Sequence, residues 1–314
     1  MCAFSRKSAG LTATAGTARS NQTRRGIQMV TRRRCISGLG AAAAIAATGA
    51  GALLPQAAWA QGAAGETSLA RVKRTGVLRT GFIAGASPYF VKSVATGEWQ
   101  GFCVDFAKQL AQSLGVKLQV VETTWGNSVL DLQSNKIDCM FGLAPTEQRM
   151  RTVGFTEPLF RNTFTLVARK GFDPKSWDDV NKPGVKLSVD VGSNQDTYAT
   201  DNLKKASIRR FETSGDATLA LQTGQVDAQV LVVLLATNVL AKVPTIGHLV
   251  IPQPASGAPT SIGVQKETDP GLTNVINAWL AKAHASGDIR KTILANMQKL
   301  ANIAPDSFPK EVSF

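Results

Sequence analysis

Leu130-Asp131-Leu132-Gln133-Ser134-Asn135-Lys136-Ile137-Asp138 and Leu219-Ala220-Leu221-Gln222-Thr223-Gly224-Gln225-Val226-Asp227 follow one plan: the end of a helix, a two-residue turn, then an apolar-Asp pair leading into a strand. Working outward from the first copy, Val77–Phe82 reads as a strand. Asp105–Leu114 reads as a helix, with Phe106, Ala107, Leu110, Ala111 and Leu114 at helical spacing and Gly115 closing it. Val116–Val121 reads as a strand, Ser128–Ser134 as a short helix and Ile137–Gly142 as the next strand. That order, β-α-β-α-β, is the making of a mainly parallel sheet flanked by helices. Around the second copy it recurs: strand Val185–Val191, a helix opened by Gly192-Ser193-Asn194-Gln195, strand Ile208–Phe211, helix Asp216–Gln222 and strand Val226–Val233. Two similar α/β lobes follow. The last amphipathic helices, Leu272–Ala285 and Ile289–Leu300, need an apolar surface, and a return to the first lobe would make that lobe discontinuous.

The chain has 314 residues, 44% of them apolar, which is enough for a core and excludes wholesale disorder. Its +13 charge invites a polyanion partner, but the charge is unevenly placed. Residues 1–60 hold eight of the 35 basic residues and no acidic one, leaving 27 against 22, a net of +5, for residues 61–314. A nucleic-acid surface is therefore not expected. Thr31-Arg32-Arg33-Arg34-Cys35-Ile36-Ser37 fits a twin-arginine export motif, and the weakly hydrophobic Gly38–Leu54 stretch follows it. Pro55 and Ala58-Trp59-Ala60 complete a signal peptide cleaved near Ala60, with Met29 a candidate true start. Periplasmic localisation is expected, with residues 301–314 as a tail. Cys2 and Cys35 belong to the leader; Cys103 and Cys139 remain, read as two buried thiols in preference to a bridge.

Catalytic chemistry is thinly supplied. His248 and His284 are the only histidines, which disfavours a His-based triad or a multi-His metal site, and no phosphate-binding glycine loop is present. No cofactor is expected. Binding features are stronger. Gly142 ends a strand and leads to Thr146-Glu147-Gln148-Arg149, with Trp125 upstream, and Gly192-Ser193-Asn194 ends the corresponding strand of the second lobe. Loops at the carboxyl ends of parallel strands are where such sheets bind ligands. The helix start near Ser193 favours an anion, and a two-pronged Arg149 suits the same group. Taken singly, such an arginine often only bridges surface carboxylates, and such a tryptophan is often plain core.

In order along the chain these pieces resemble the amino-acid-type periplasmic solute-binding proteins, the family-3 binding components of ABC importers. The resemblance runs from about Val77 to Leu300. It is carried by Gly101-Phe102-Cys103-Val104-Asp105-Phe106-Ala107, by Trp125, by the Leu130–Asp138 segment, by Gly142–Arg149, by Val153-Gly154-Phe155-Thr156-Glu157-Pro158 and by Gly192-Ser193-Asn194. It implies the two-lobed (type II) periplasmic binding protein fold. Residues 61–166 and 263–300 would form lobe 1 and residues 167–262 lobe 2, joined by hinge strands near Leu166–Ala168 and Ile262–Val264. It implies a ligand-binding set of Arg149, Trp125, Gly142, Ala144, Ser193, Asn194, Gln195, Phe90 and Val232, a small carboxylate ligand trapped by closure of the lobes, delivery to a membrane permease, a monomer, and no enzymatic activity.

The departures from the family pattern matter most. Arg149 and the helix start at Ser193, which grip the α-carboxylate in the family, are both present. Two usual partners of the α-ammonium are replaced, by Ala144 and Val232, and the usual first-lobe tyrosine reads as Ser87, with Tyr89 or Phe90 as substitutes. The expectation is an acid without a conventionally bound α-ammonium, or an ordinary amino acid held by rearranged contacts through Asn127 or Asp190. A periplasmic lyase resembling cyclohexadienyl dehydratase is the alternative from another class, as is a ligand-presenting sensor. The lyase needs a cleft acid, and Val232 stands where one is expected.

Overall fold

The computed structural model describes residues 65–304, so the segment expected to be a leader, the cleavage site expected near Ala60 and the part of the expected tail beyond residue 304 lie outside the described residues. The first lobe begins with helix α1 (Ser68–Thr75) and strand β1 (Val77–Ile83), followed by a small hairpin of β2 (Val91–Lys92) and β3 (Trp99–Gln100). Then come α2 (Phe102–Ser113), β4 (Lys117–Thr123), α3 (Trp125–Gln133), β5 (Cys139–Leu143), α4 (Glu147–Met150), β6 (Val153–Phe155) and the long β7 (Phe160–Ala168). The second lobe holds α5 (Trp177–Val180), β8 (Lys186–Asp190), α6 (Asn194–Asn202), β9 (Ser207–Phe211), α7 (Ser214–Gln222), β10 (Ala228–Val232), α8 (Val233–Lys242) and β11 (His248–Val250). The long β12 (Gly257–Gln265) leads back to α9 (Gly271–Ala285) and α10 (Asp288–Ala301).

Strand order is β4-β1-β5-β12-β7-β10-β8-β9. Each lobe thus has a parallel trio in the order second-first-third, closed by one antiparallel long strand. The repeated nonapeptide has a physical job in both trios. Asp138 accepts the backbone N–H of Arg79 in β1 at 2.7 Å and gives its own N–H to the Arg79 carbonyl. Asp227 treats Lys186 of β8 in the same way, at 2.8 Å. Each carboxylate also pairs with an arginine, Arg79 in one lobe and Arg169 in the other.

Between the trios β7 and β12 run side by side, with Phe160–Thr163 paired to Gly257–Thr260. Leu166–Ala168 already pairs with β10, and Ile262–Val264 with β5 and β6. The stretch where only the two long strands hold each other therefore stands several residues ahead of both positions expected for the hinge. The sequence shows two apolar strands there, but not which part of each has a neighbouring trio to pair with.

Helix starts also move. α3 begins at Trp125, because the Thr124 side chain caps it by accepting the Asn127 N–H. α9 and α10 return to the first lobe, where Trp279 meets Phe106 and Phe141 edge-on and Asn296 donates to Asp105 at 2.8 Å. Cys103 and Cys139 are free, buried thiols; burial pushes Cys139 up to about 12 and Cys103 well above its ordinary value. Among the described residues no helix is long and apolar enough to cross a membrane.

Candidate ligand-binding site

The carboxyl ends of β5, β8 and β10 converge where the lobes meet, and a small cavity lies there, with about 20 Å3 of room. Seven of the nine expected residues line it: Trp125, Gly142, Ala144, Arg149, Asn194, Gln195 and Val232. It accommodates about one water molecule, so anything larger enters only when the lobes part.

Arg149 is the centre of the site. The Thr146 side chain caps the short α4 and accepts the Arg149 N–H, fixing the direction in which the side chain leaves. Arg149 is 6% exposed. It donates from Nη1 to the Ala144 carbonyl at 3.0 Å and from Nη2 to the Gly192 carbonyl of the other lobe at 2.7 Å. No carboxylate among the described residues pairs with it, and burial alone lowers its pKa to about 10, which leaves it a cation at neutral pH. Two of its five N–H donors are used, so the fork can still receive an anion.

The N-terminus of α6 supports the same charge. Ser193 caps it by accepting the Asp196 N–H at 3.1 Å. Asn194 and Gln195 are the first two helical residues, whose N–H groups have no acceptor within the helix, and both line the cavity. Ser193 itself is 1% exposed and does not line the cavity; its hydroxyl is occupied by the cap, so it shapes the site rather than facing it.

Phe90 is a correction. It lies wholly in the first-lobe core, against Phe82 and behind Trp125, and does not line the cavity. Tyr89 lines it instead, meeting Trp125 at 90° and taking a hydrogen bond from Asn162 at its hydroxyl. Of two adjacent rings the core takes the purely apolar one, while the ring with a hydroxyl goes where a polar partner stands. Asn162, on β7, also donates to Thr260 on β12 at 3.2 Å, and both line the cavity together with Leu235. Sequence reasoning missed these three. The one local signal was a polar Asn in a largely buried strand, which does not say what that side chain faces.

No Asp or Glu lines the Arg149 cavity; Val232, at the end of β10, takes the place expected for one. A carboxylate does stand next door. Asp190, the last residue of β8, lines an adjoining cavity of about 330 Å3, together with Trp125 and Asn127. It is 5% exposed, its Oδ2 accepts from Ser214, and its Oδ1 has no partner. Burial raises its pKa to about 6 against the opposing pull of Ser214. Among the described residues no cluster of His, Cys, Asp and Glu suits a metal ion.

A sequence profile of the bacterial extracellular solute-binding proteins, family 3, matches residues 78–296. Cyclohexadienyl dehydratase of Pseudomonas aeruginosa is 33% identical over 146 residues, a match that spans 46% of this chain and 54% of the dehydratase. The L-cystine-binding protein TcyJ of Escherichia coli K12 is 26% identical over 230 residues, 72% of this chain and 85% of TcyJ. Among solved structures, the ancestral amino acid-binding protein AncCDT-1, a precursor of cyclohexadienyl dehydratase, superposes with a TM-score of 0.65 at 30% identity, covering 75% of this chain and all of that one.

Proposed function

The chain belongs to the bacterial extracellular solute-binding proteins of family 3, and from that premise we propose that it is the periplasmic binding component of an ABC importer that captures a small carboxylate-bearing solute. The solute is an amino acid or an amino-acid-like organic acid, and the lobes close on it. The observation that carries this reading is Arg149: a buried guanidinium, bound only to carbonyls, beside a helix N-terminus and with no carboxylate of its own. An isolated buried cation is strongly disfavoured unless an anion arrives. Export by the twin-arginine leader, division into two lobes at the crossing of Phe160–Thr163 with Gly257–Thr260, a monomeric state and delivery to a permease complete the proposal.

Mass spectrometry of small molecules released on denaturing the purified protein, followed by calorimetric titration of matched α-amino, α-hydroxy and α-keto acids, tests it. The acids are expected to bind, and their carboxamide counterparts are not. Equal binding of acid and amide would sink the reading.

The closure geometry makes a separate prediction. Gly192 has φ +68°, and a Cβ there would lie 2.9 Å from the Gly126 Cα of the opposite lobe. Gly192→Ala is expected to hold the lobes apart and displace the carbonyl that Arg149 touches. We expect a loss of about tenfold or more in affinity, equivalent to about 1.4 kcal/mol. Urea unfolding should show a smaller stability change, about 1 kcal/mol from the left-handed backbone. Unchanged affinity would mean that the two backbones need not touch when ligand is held.

A second reading, a lyase acting on a cyclohexadienyl acid, is favoured by the match to the dehydratase and by Asp190, a buried acid near the cleft whose raised pKa suits proton donation. Incubating the protein with a hydroxylated cyclohexadienyl acid, and following aromatic product by ultraviolet absorbance, separates the two readings.

A further inference from the structure

The Arg149 cavity has a second polar wall. Tyr89, Asn162 on β7 and Thr260 on β12 line it together, and Asn162 joins the other two by donating to both hydroxyl oxygens. Asn162 is 5% exposed, and its Oδ1 has no partner. Burial holds the Tyr89 phenol well above its ordinary pKa, so the hydroxyl keeps its proton. With the oxygen accepting from Asn162, that proton is left for a further acceptor. Turning the Asn162 amide over exchanges the roles and keeps the inventory. Its oxygen then accepts from both hydroxyls, and Nδ2 becomes the spare donor beside spare hydroxyl lone pairs. Either way the wall is neutral and offers both a donor and an acceptor. A buried polar group of either kind left without a partner is destabilising.

Charge and size fix where on a ligand this wall acts. Arg149 and the N-terminus of α6 are both positive, no Asp or Glu lines their cavity, and Asp190 opens on the adjoining one. The other polar side chains there, Asn194 and Gln195, are neutral amides. An α-ammonium entering this space meets a buried like charge and no carboxylate except the ligand's own. The space has about 20 Å3 of room, about one water molecule, so Arg149 and the neutral wall surround a single point. A group bound by the wall is thus next to the carboxylate that Arg149 holds. It sits on the α-carbon, not at the far end of a chain.

Three α-substituents can be compared by what they give and take. An ammonium gives protons and accepts none, a keto oxygen accepts and gives none, and a hydroxyl does both while staying neutral. Resting on the reading of the Arg149 cavity as a carboxylate site, we propose that Tyr89, Asn162 and Thr260 form an α-hydroxyl subsite and that the solute is an α-hydroxy acid. Ala144 and Val232 line the same cavity and supply neither a hydroxyl nor a carboxylate to an ammonium. Their replacement is then part of the specificity: the site disfavours the amino acid and keeps its neutral donor and acceptor for the hydroxy acid.

The test is calorimetric titration of the full chain with two sets of acids that differ only in the α-substituent. One set is lactate, alanine, pyruvate and propionate; the larger is phenyllactate, phenylalanine, phenylpyruvate and phenylpropionate, with chiral acids taken as both enantiomers. In at least one set the hydroxy acid is expected to bind about ten- to a hundredfold more tightly than the other three, the range for leaving a buried polar group unpaired. Tyr89→Phe deletes one hydroxyl and keeps the ring. It should shrink the hydroxy-over-unsubstituted ratio by about tenfold while affinity for the unsubstituted acid changes by less than about threefold. The wild-type ratios stand as the test if the variant does not fold. Equal affinities throughout the sets, preference for the amino, keto or unsubstituted acid, or a ratio unchanged in Tyr89→Phe would overturn the subsite and leave the carboxylate reading standing. Binding of no acid from either set would overturn both.

Discussion

Arg149→Met is expected to weaken capture of a carboxylate solute by roughly a hundredfold to a few thousandfold. Removing one partner of a buried, hydrogen-bonded charge pair costs about 3–5 kcal/mol, and each 1.4 kcal/mol or so is a factor of about ten in affinity. The geometry places this loss at the upper end of what one side chain contributes. The guanidinium spends one N–H on Ala144 and one on Gly192 and keeps the rest of its fork for the ligand. Arg149→Lys retains the charge but has three donors on one nitrogen, too few in the wrong directions to hold two carbonyls and both carboxylate oxygens. Its affinity should fall between those of the wild type and Arg149→Met. The readouts are calorimetric affinity and ligand-induced thermal shift. Wild-type affinity in the methionine variant would remove Arg149 from the binding machinery.

The second large effect is a gain in stability. Asp190 has a folded-state pKa of about 6, raised by burial above the ordinary carboxylate value of 3.8. Between those two pH values the folded state holds a proton that the unfolded chain has lost, so stability falls as pH rises through that window and stays low above it. A shift of this size corresponds to about 3 kcal/mol at neutral pH, at about 1.36 kcal/mol per pH unit. Asp190→Asn removes the titration and keeps the shape. In urea unfolding without added solute, the variant should match the wild type near pH 4, gain on it through pH 6, and exceed it by about 3 kcal/mol at pH 7. A difference independent of pH would show that the Asp190 carboxylate is not the strained group.

The trios of parallel strands were legible because each is announced by alternation, by helix spacing and by the repeated nonapeptide ending in Asp138 or Asp227. Most of the cavity was legible for a related reason: Gly142, Arg149 and the Asn194 helix start all sit at carboxyl ends of those strands, where the topology itself directs loops into the cleft. What was not legible came from partners distant in sequence. Asn162 and Thr260 meet because β7 and β12 happen to be paired at that point. Tyr89 rather than Phe90 faces the cavity because Asn162 is there to donate to its hydroxyl oxygen. The unpaired oxygen of Asp190 is a property of its surroundings, and an aspartate at the end of a strand looks the same in sequence whether or not a cation neighbours it.

The side-by-side run of β7 and β12 bears on how the molecule comes into being. The chain leaves the first lobe along β7 and re-enters it along β12, so the second lobe's parallel trio is a continuous stretch whose entry and exit are neighbours. On the ribosome that stretch is complete before β12, α9 and α10 have been made. The first lobe, although it is begun earlier, lacks a strand and two helices until the last part of the chain emerges. The later-starting half is therefore free to finish first, while the half holding Arg149 waits on the C-terminal end. A messenger truncated after β10 yields a chain with one complete trio and with β5 and β7 each missing the strand that lies between them, a species whose exposed pairing groups favour association.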